Sequence, residues 1–177
     1  QYLQGFQNLY WDDAGGRLYL EITAFEQPFI YVSSLSSGVG SNDLGLDRGQ
    51  LGNTRLARFS RVGDKVLLMA DNPVYTARSS NADERRAVEE AFARSALASF
   101  PVVARSGDRV LVDGTDYFVS DVHGVARRLK DREEGDYRAD PDRSAIYLPR
   151  TRAFPDNTEV DALVTLAGEP AGQQLAT

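Results

Sequence analysis

Apolar and polar residues alternate with a period of two over much of this chain, and short turn-forming stretches interrupt the alternation. QNLYW and RLYLEI flank DDAGG, an Asp- and Gly-rich turn between two apolar runs, which predicts a hairpin. In its second arm Leu18, Leu20 and Ile22 face one way while Tyr19 and Glu21 face the other, and Tyr10 and Trp11 are expected to cover the inner face. TRLARFSRVGDKVLLMA predicts a second hairpin turning at VGDK, with one side of its first strand toward water. FIYVSS, Phe29 to Ser34, reads as a strand after Pro28.

The period changes near Ser80. Asn81 with Glu84 matches a capping box and Ser80 with Asp83 offers the adjacent register; in either, Asp83 and Glu84 fall in the first turn, where carboxylates favour the exposed N–H groups. Val88, Ala91, Phe92, Ser95, Ala96 and Ser99 then recur at helical spacing until Pro101, so a long helix anchored by Phe92 is predicted. PVVA, RVLVDG and TDYFVS read as strands, and Asp121 as the cap of a short helix with Val122, Val125, Ala126 and Leu129 on one face. The charged stretch from Lys130 to Arg143 is expected to be an exposed excursion, and SAIYLPR and TEVDALVTLAG two final strands. The sum is an α+β domain, mostly antiparallel β-sheet with one long and one short helix. Its expected extent is residues 1–166, with 167–177 a linker or truncated continuation.

Composition narrows the picture. A chain of 177 residues, 42% hydrophobic and 26% charged, has enough apolar material for one real core. Its net charge of −6 disfavours nucleic acid as a partner, and no apolar run approaches the length of a transmembrane segment. The densest basic cluster, Arg127, Arg128, Lys130 and Arg132, is interleaved with Asp131, Glu133 and Glu134 and reads as a solvated helix end. There is no cysteine, hence no disulfide and no thiolate site. Gln1 opens the sequence without an initiator Met, so upstream sequence is expected to have been removed.

Candidate chemistry is sparse. SSGVGSNDLGLDRGQLG, Ser36 to Gly52, superficially resembles a phosphate-holding loop, but its third glycine falls two residues late for G-x-G-x-x-G. The expectation is a structural or interdomain loop set by Asn42, Asp43, Asp47, Arg48 and Gln50, with Arg48 clamping carboxylates or carbonyls through its fork. His123 is the sole histidine, which rules out H-E-x-x-H within this sequence. Asp136, Asp140 and Asp142 imitate the acidic rhythm of a calcium loop, yet Pro141 stands where its turn glycine belongs. Asp113, Asp116 and Asp121, with His123, form a further candidate polar site; a turn at Gly114 would be needed to join Asp113 to Asp116. A Ser–His–Asp set around His123 depends on residues meeting in space. No cofactor is expected.

YWDDAGGRLYLEI, SSLSSGVGSNDLGLDRGQLG, ADERRAVEEAFARS, FPVVARSGDRVLVDGTDYFVSDVHGVARRL and RSAIYLPRTRAFPDNTEVDALVTL occur in this order. Together, over roughly Gly5 to Leu166, they resemble the amino-terminal region of large bacterial zinc-dependent metalloprotease-like proteins, a domain of unknown function that precedes a zincin-type catalytic domain. The resemblance implies a cell-envelope location, periplasmic or secreted, and a downstream metalloprotease domain of the same chain as partner. It implies no catalytic residue here, so this segment is expected to be a non-enzymatic accessory or interdomain scaffold. The alternatives are a peptide- or glycan-binding module, using a strand edge or stacked Tyr and Trp, and a weak Asp-based hydrolase. Homodimerisation is a further expectation.

Overall fold

The computed structural model describes residues 1–40, 42–73 and 79–175. The first hairpin forms as its pattern requires: β1 (Tyr2–Leu3), β2 (Asn8–Asp12) and β3 (Arg17–Ile22) pair antiparallel. Leu18, Leu20 and Ile22 are buried, with Trp11 opposite Leu18 and Leu9 opposite Leu20. Trp11 therefore covers the inner face. Tyr10 does not, because adjacent residues of a strand point to opposite faces; it stands opposite Tyr19 on the outer side. The second hairpin joins β4 (Phe29–Tyr31), β5 (Arg55–Val62) and β6 (Lys65–Ala70), with Ala57, Phe59, Val66 and Leu68 turned inward.

The largest departure from the sequence expectation is at the helix. α1 spans Ala82–Ala91 and closes when the Phe92 N–H donates to the Val88 carbonyl. Ser95–Ser106 is a strand, β7, instead of the continuation of that helix. Small alternating residues in SALASF suit either period, and tertiary context decides. β6 would otherwise present an unpaired edge, which Ser95 to Pro101 fills, with a bulge between the Ala96 and Ala98 pairs. The second half of β7 then pairs with β8 (Arg109–Asp113). Pro101 sits where β7 passes from one partner to the other, a place that tolerates a residue without an N–H. Phe92, expected as an anchor, is 37% exposed. Asn81 caps α1 as expected, accepting from the Asp83 N–H, but Ser79 Oγ takes the Asn81 N–H that a capping box assigns to Glu84.

β8 also pairs with β3, giving one antiparallel sheet ordered β1-β2-β3-β8-β7-β6-β5-β4. The sheet curls until its two ends approach: Phe6, just after β1, packs edge-on against Phe29 of β4 with ring centroids 5.8 Å apart. The concave side holds the main core, where Leu9, Leu20 and Ile22 meet Phe59, Leu68 and Phe100. An ion-pair cluster fastens the chain after β6: Asp71 is held by Arg58, and Arg94 Nε lies 3.2 Å from its other oxygen without an aligned hydrogen bond there.

TDYFVS, expected as a strand, is the single helical turn α2 (Thr115–Phe118). Asp113 accepts the Thr115 N–H, and Thr115 in turn accepts the Leu18 N–H at 2.8 Å, which ties the turn to β3. α3 (Val125–Asp131) begins one residue after Gly124, whose φ of 80° suits glycine and lets the chain enter the helix abruptly. The charged stretch expected as an excursion is instead largely strand: β9 (Gly135–Ile146) pairs with β12 (Ala162–Pro170). Its charges mask a period of two, with Asp136 and Arg138 exposed and Tyr137 and Ala139 half-buried. Ala167–Pro170, within the expected linker, thus belongs to β12, while residues 176–177 lie outside the described residues. SAIYLPR leaves the strand after Ile146 for a 3-10 turn, and a small hairpin, β10 (Arg152–Phe154) with β11 (Asn157–Glu159), follows. The fold is α+β, predominantly antiparallel sheet with a few helices, of which α1 is clearly the longest.

Candidate functional site

The glycine-rich loop is held by its backbone and its leucines. Leu35 N–H donates to the Gln50 carbonyl, Gly49 N–H to the Leu35 carbonyl, and Val39 N–H to the Leu46 carbonyl. These bonds fold Leu35–Gln50 back on itself, and the 3-10 turn Asn42–Leu44 directs Leu44 inward. Leu44 and Leu46 are buried in a second, smaller core with Val125 and Leu129 of α3, covered by Val39, Tyr137 and Leu166. Asp43, Asp47 and Arg48 are exposed. The Arg48 guanidinium makes no hydrogen bond or ion pair among the described residues, so the expected clamp is replaced by apolar insertion. Gln50 is half-buried, and its Oε1 has no hydrogen-bond partner among the described residues.

The candidate polar residues fall into two separate sets. The turn after Gly114 does bring Asp113 and Asp116 together: Arg17 Nη1 lies 3.1 Å from a carboxylate oxygen of each. A carboxylate pair bridged by one guanidinium has its mutual repulsion offset by the shared cation and is suited to holding β3 to α2. Asp121 instead caps α3, with Oδ1 accepting the N–H groups of Gly124 and Val125 and Oδ2 that of Ala126. His123 Nδ1 lies 3.2 Å from Ser33 Oγ, joining the end of β4 to the approach of α3. Gly52 packs on this pair so tightly that a Cβ there would lie 2.4 Å from Ser33 Oγ. Burial lowers the His123 pKa, with Arg128 acting the same way and Asp121 opposing them. Because both Asp121 oxygens face α3, Ser33 and His123 form a dyad without a hydrogen-bonded third member among the described residues. Two of the acidic trio are also engaged: Lys130 pairs with Asp136 and Arg143 with Asp140, each lowering its partner's pKa. Among the described residues no three His, Cys, Asp or Glu side chains are grouped to hold a metal ion, and no helix is long and apolar enough to cross a membrane.

Two features lay beyond reach of the sequence. The first is a hydroxyl pair, Tyr31 with Tyr117, whose oxygens are 2.6 Å apart across 86 residues of sequence. Burial pushes both phenol pKa values up. No local signal marks this pair, since Tyr117 read as part of a strand. The second is an outward apolar strip. Ile30 and Val32 lie two residues apart, and Leu51 bridges to Ser34 two further on, so all share one face; they are 68%, 42% and 65% exposed. The alternation of FIYVSS contains this signal, but only the burial of Phe29 and Tyr31 against the main core shows which side faces water.

The fold and its surface define a β-rich α+β domain in which Asp113 and Asp121 brace backbone N–H groups while Asp116 and His123 meet side chains of other segments. Residues 49–177 match the family described as domain of unknown function (DUF5117), and the chain belongs to that family. No match was found among curated proteins or among solved structures.

Proposed function

We propose that this domain works through contact, as a non-catalytic accessory or interdomain scaffold of an exported zinc metalloprotease-like protein. The observation that carries this reading is the strip of Ile30, Val32 and Leu51, which borders the glycine-rich loop. Exposed apolar residues aligned on one face mark an interaction surface more often than isolated ones do. The loop beneath is fixed by a buried core, so the strip is presented rigidly and without an ordering cost on contact. The engagement of Asp113, Asp116 and Asp121 in internal bonds supports the same reading. The partner in this reading is a downstream domain of the same chain. Hydrogen exchange on this domain alone and within its longer parent chain tests it: amides of residues 30–34 and 49–52 gain protection in the parent. Unchanged exchange at both segments refutes the contact.

A second reading, glycan binding, has its own observation. Tyr2, Tyr10 and Tyr19 stand opposite one another across β1, β2 and β3 on the outer face, Tyr2 and Tyr10 with ring centroids 4.9 Å apart. Next to this row Glu21 accepts from Asn8, Tyr10 and Arg109, and Arg17 joins Asp113 to Asp116. Flat rings beside hydroxyl-bonding groups suit stacked sugars. A glycan array on the wild type and Tyr10→Ala decides it, with binding lost in the variant as the expected result.

A further inference from the structure

We infer that the cleft between β4, β5 and α2 is a binding site for a carboxylate group with an apolar neighbour, such as the free C-terminus of a peptide or a small organic acid. The cleft, a cavity of about 330 Å³, has the Tyr31–Tyr117 hydroxyl pair on its wall and Arg55 beside it. A hydroxyl carries one proton and donates once. When two hydroxyls share a single hydrogen bond, one proton is used between them and the other is left to donate elsewhere. No second partner of either oxygen exists among the described residues, so the pair retains one O–H. The Tyr117 ring is wedged edge-on between Phe100 and Phe118, which fixes where that hydroxyl stands.

Arg55 supplies the charge. It opens β5 directly opposite Tyr31, is exposed, and forms no ion pair or hydrogen bond among the described residues. Arg17, Arg58, Arg105 and Arg109 of this sheet are each paired with a carboxylate; Arg61, at the far end of β5, shows no ion pair among the described residues, and Arg55 differs from it in lining a cleft. The other polar side chains on the cleft wall are engaged: Asp121 accepts N–H groups at the start of α3 with both oxygens, and Ser120 Oγ gives its one proton to the Tyr117 carbonyl at 2.6 Å. What remains is a guanidinium fork and a phenolic donor, a set that matches an anionic acceptor with two oxygens. Leu97 and Val122 form the apolar part of the lining, which favours an aliphatic group next to the carboxylate.

The test uses the folded chain and three probes: a short peptide ending in leucine with a free carboxylate, the same peptide amidated, and 4-methylpentanoate. Binding is followed by NMR titration of the chain. The free-acid peptide is expected to shift amides near Tyr31, Arg55 and Tyr117, with the amidated peptide at least tenfold weaker. Binding of 4-methylpentanoate at similar strength would identify a small-acid site, and much weaker binding a peptide terminus; both keep the carboxylate. Arg55→Gln, at an exposed position that leaves the core untouched, should weaken the free acid at least tenfold, and Tyr117→Phe should do so without altering the amide. Equal binding of acid and amide, no loss in Arg55→Gln, or no saturable shift with any probe overturns the inference.

Discussion

Leu18 and Leu44 are equally hidden from water, each fully buried, but they belong to cores built in different ways. Leu18 sits in a strand where Leu20 and Ile22, two and four residues on, are also buried, and its core is assembled from sheet residues that meet across a curled surface. Leu44 sits in a glycine-rich loop, flanked by exposed Asp43 and half-buried Gly45, and its core is closed by α3 and the β9–β12 pair. The main core defines the sheet; the second converts a polar-looking loop into a fixed part of the surface. A glycine-rich segment with charged residues thus need be neither a ligand loop nor a mobile one when two of its residues are leucines aimed inward.

Truncation of each leucine gives the largest expected effects. Leu18→Ala should cost about 2–5 kcal/mol, a large part of the roughly 5–15 kcal/mol that holds a domain of this size, and should lower the whole denaturation midpoint. Leu44→Ala should fall at the lower end, about 2–3 kcal/mol, because a loop can settle toward the space left behind. Hydrogen exchange separates the two. In Leu44→Ala, protection should fall at Val39, Gly49 and the amides of α3 while β2, β3 and β8 keep theirs. Equal loss throughout would show that the two cores unfold as one unit and would end the comparison.

Asp121 links the regions, since its carboxylate starts α3 and α3 supplies Val125 and Leu129 to the second core. Asp121→Ala should cost about 1–2 kcal/mol, the usual range for loss of a helix cap. Asp121→Asn should recover part of that, because an amide oxygen still accepts an N–H. Chemical denaturation of the three chains side by side measures both effects; a cost in Asp121→Ala confined to a few tenths would place the start of α3 under the control of packing alone.

The same contrast explains what could be read from the sequence. Ala57 and Phe59 are buried with Arg58 between them, so periodicity alone located β5. The end of α1 was not legible because Ser95 to Phe100 fits both periods, and the free edge of β6 decided the matter. β9 was concealed by its charges, although Tyr137 and Ala139 kept the inward phase. Leu44 and Leu46 carried the loop's meaning, yet two leucines around a glycine make no pattern until α3 is in place. Asp121 was legible because a cap acts within a few residues. Tyr31 with Tyr117, Ser33 with His123 and Arg17 with two aspartates were not, because each joins segments brought together only by the completed sheet.

His123 offers a smaller, pH-dependent probe of the junction between loop and helix. Its native pKa lies below the ordinary histidine value of about 6.5, chiefly through burial. Above that ordinary value both the folded and unfolded chains hold it neutral, and its contribution is fully present. As pH falls through about 6.5 the unfolded chain takes up the proton first, so stability declines until the native group is also protonated. Wild type should therefore lose stability between pH 7 and its lowered native pKa, and His123→Gln should flatten that part of the curve. Asp136 and Asp140, also lowered, act only below the carboxylate value of about 3.9 and leave this window undisturbed. A wild-type curve that is flat from pH 7 to 5 would remove His123 from the account.

The smallest expected effect belongs to Arg48, and its size depends on which chain is measured. Its guanidinium is exposed and makes no internal bond, so Arg48→Ala in this domain should change stability by no more than about 0.5 kcal/mol. It nonetheless lies between Leu46, which fixes the loop from below, and Leu51, which stands at the outer strip. A residue so placed contributes nothing to the second core and is available to whatever covers the strip. If the proposed contact with a downstream domain forms, the same substitution should lower the protection that contact gives residues 49–52, while leaving the exchange of Val39 unchanged. A stability loss above about 1 kcal/mol in the isolated domain would mean that Arg48 braces the loop after all, returning to a charged side chain the role that Leu44 and Leu46 take here.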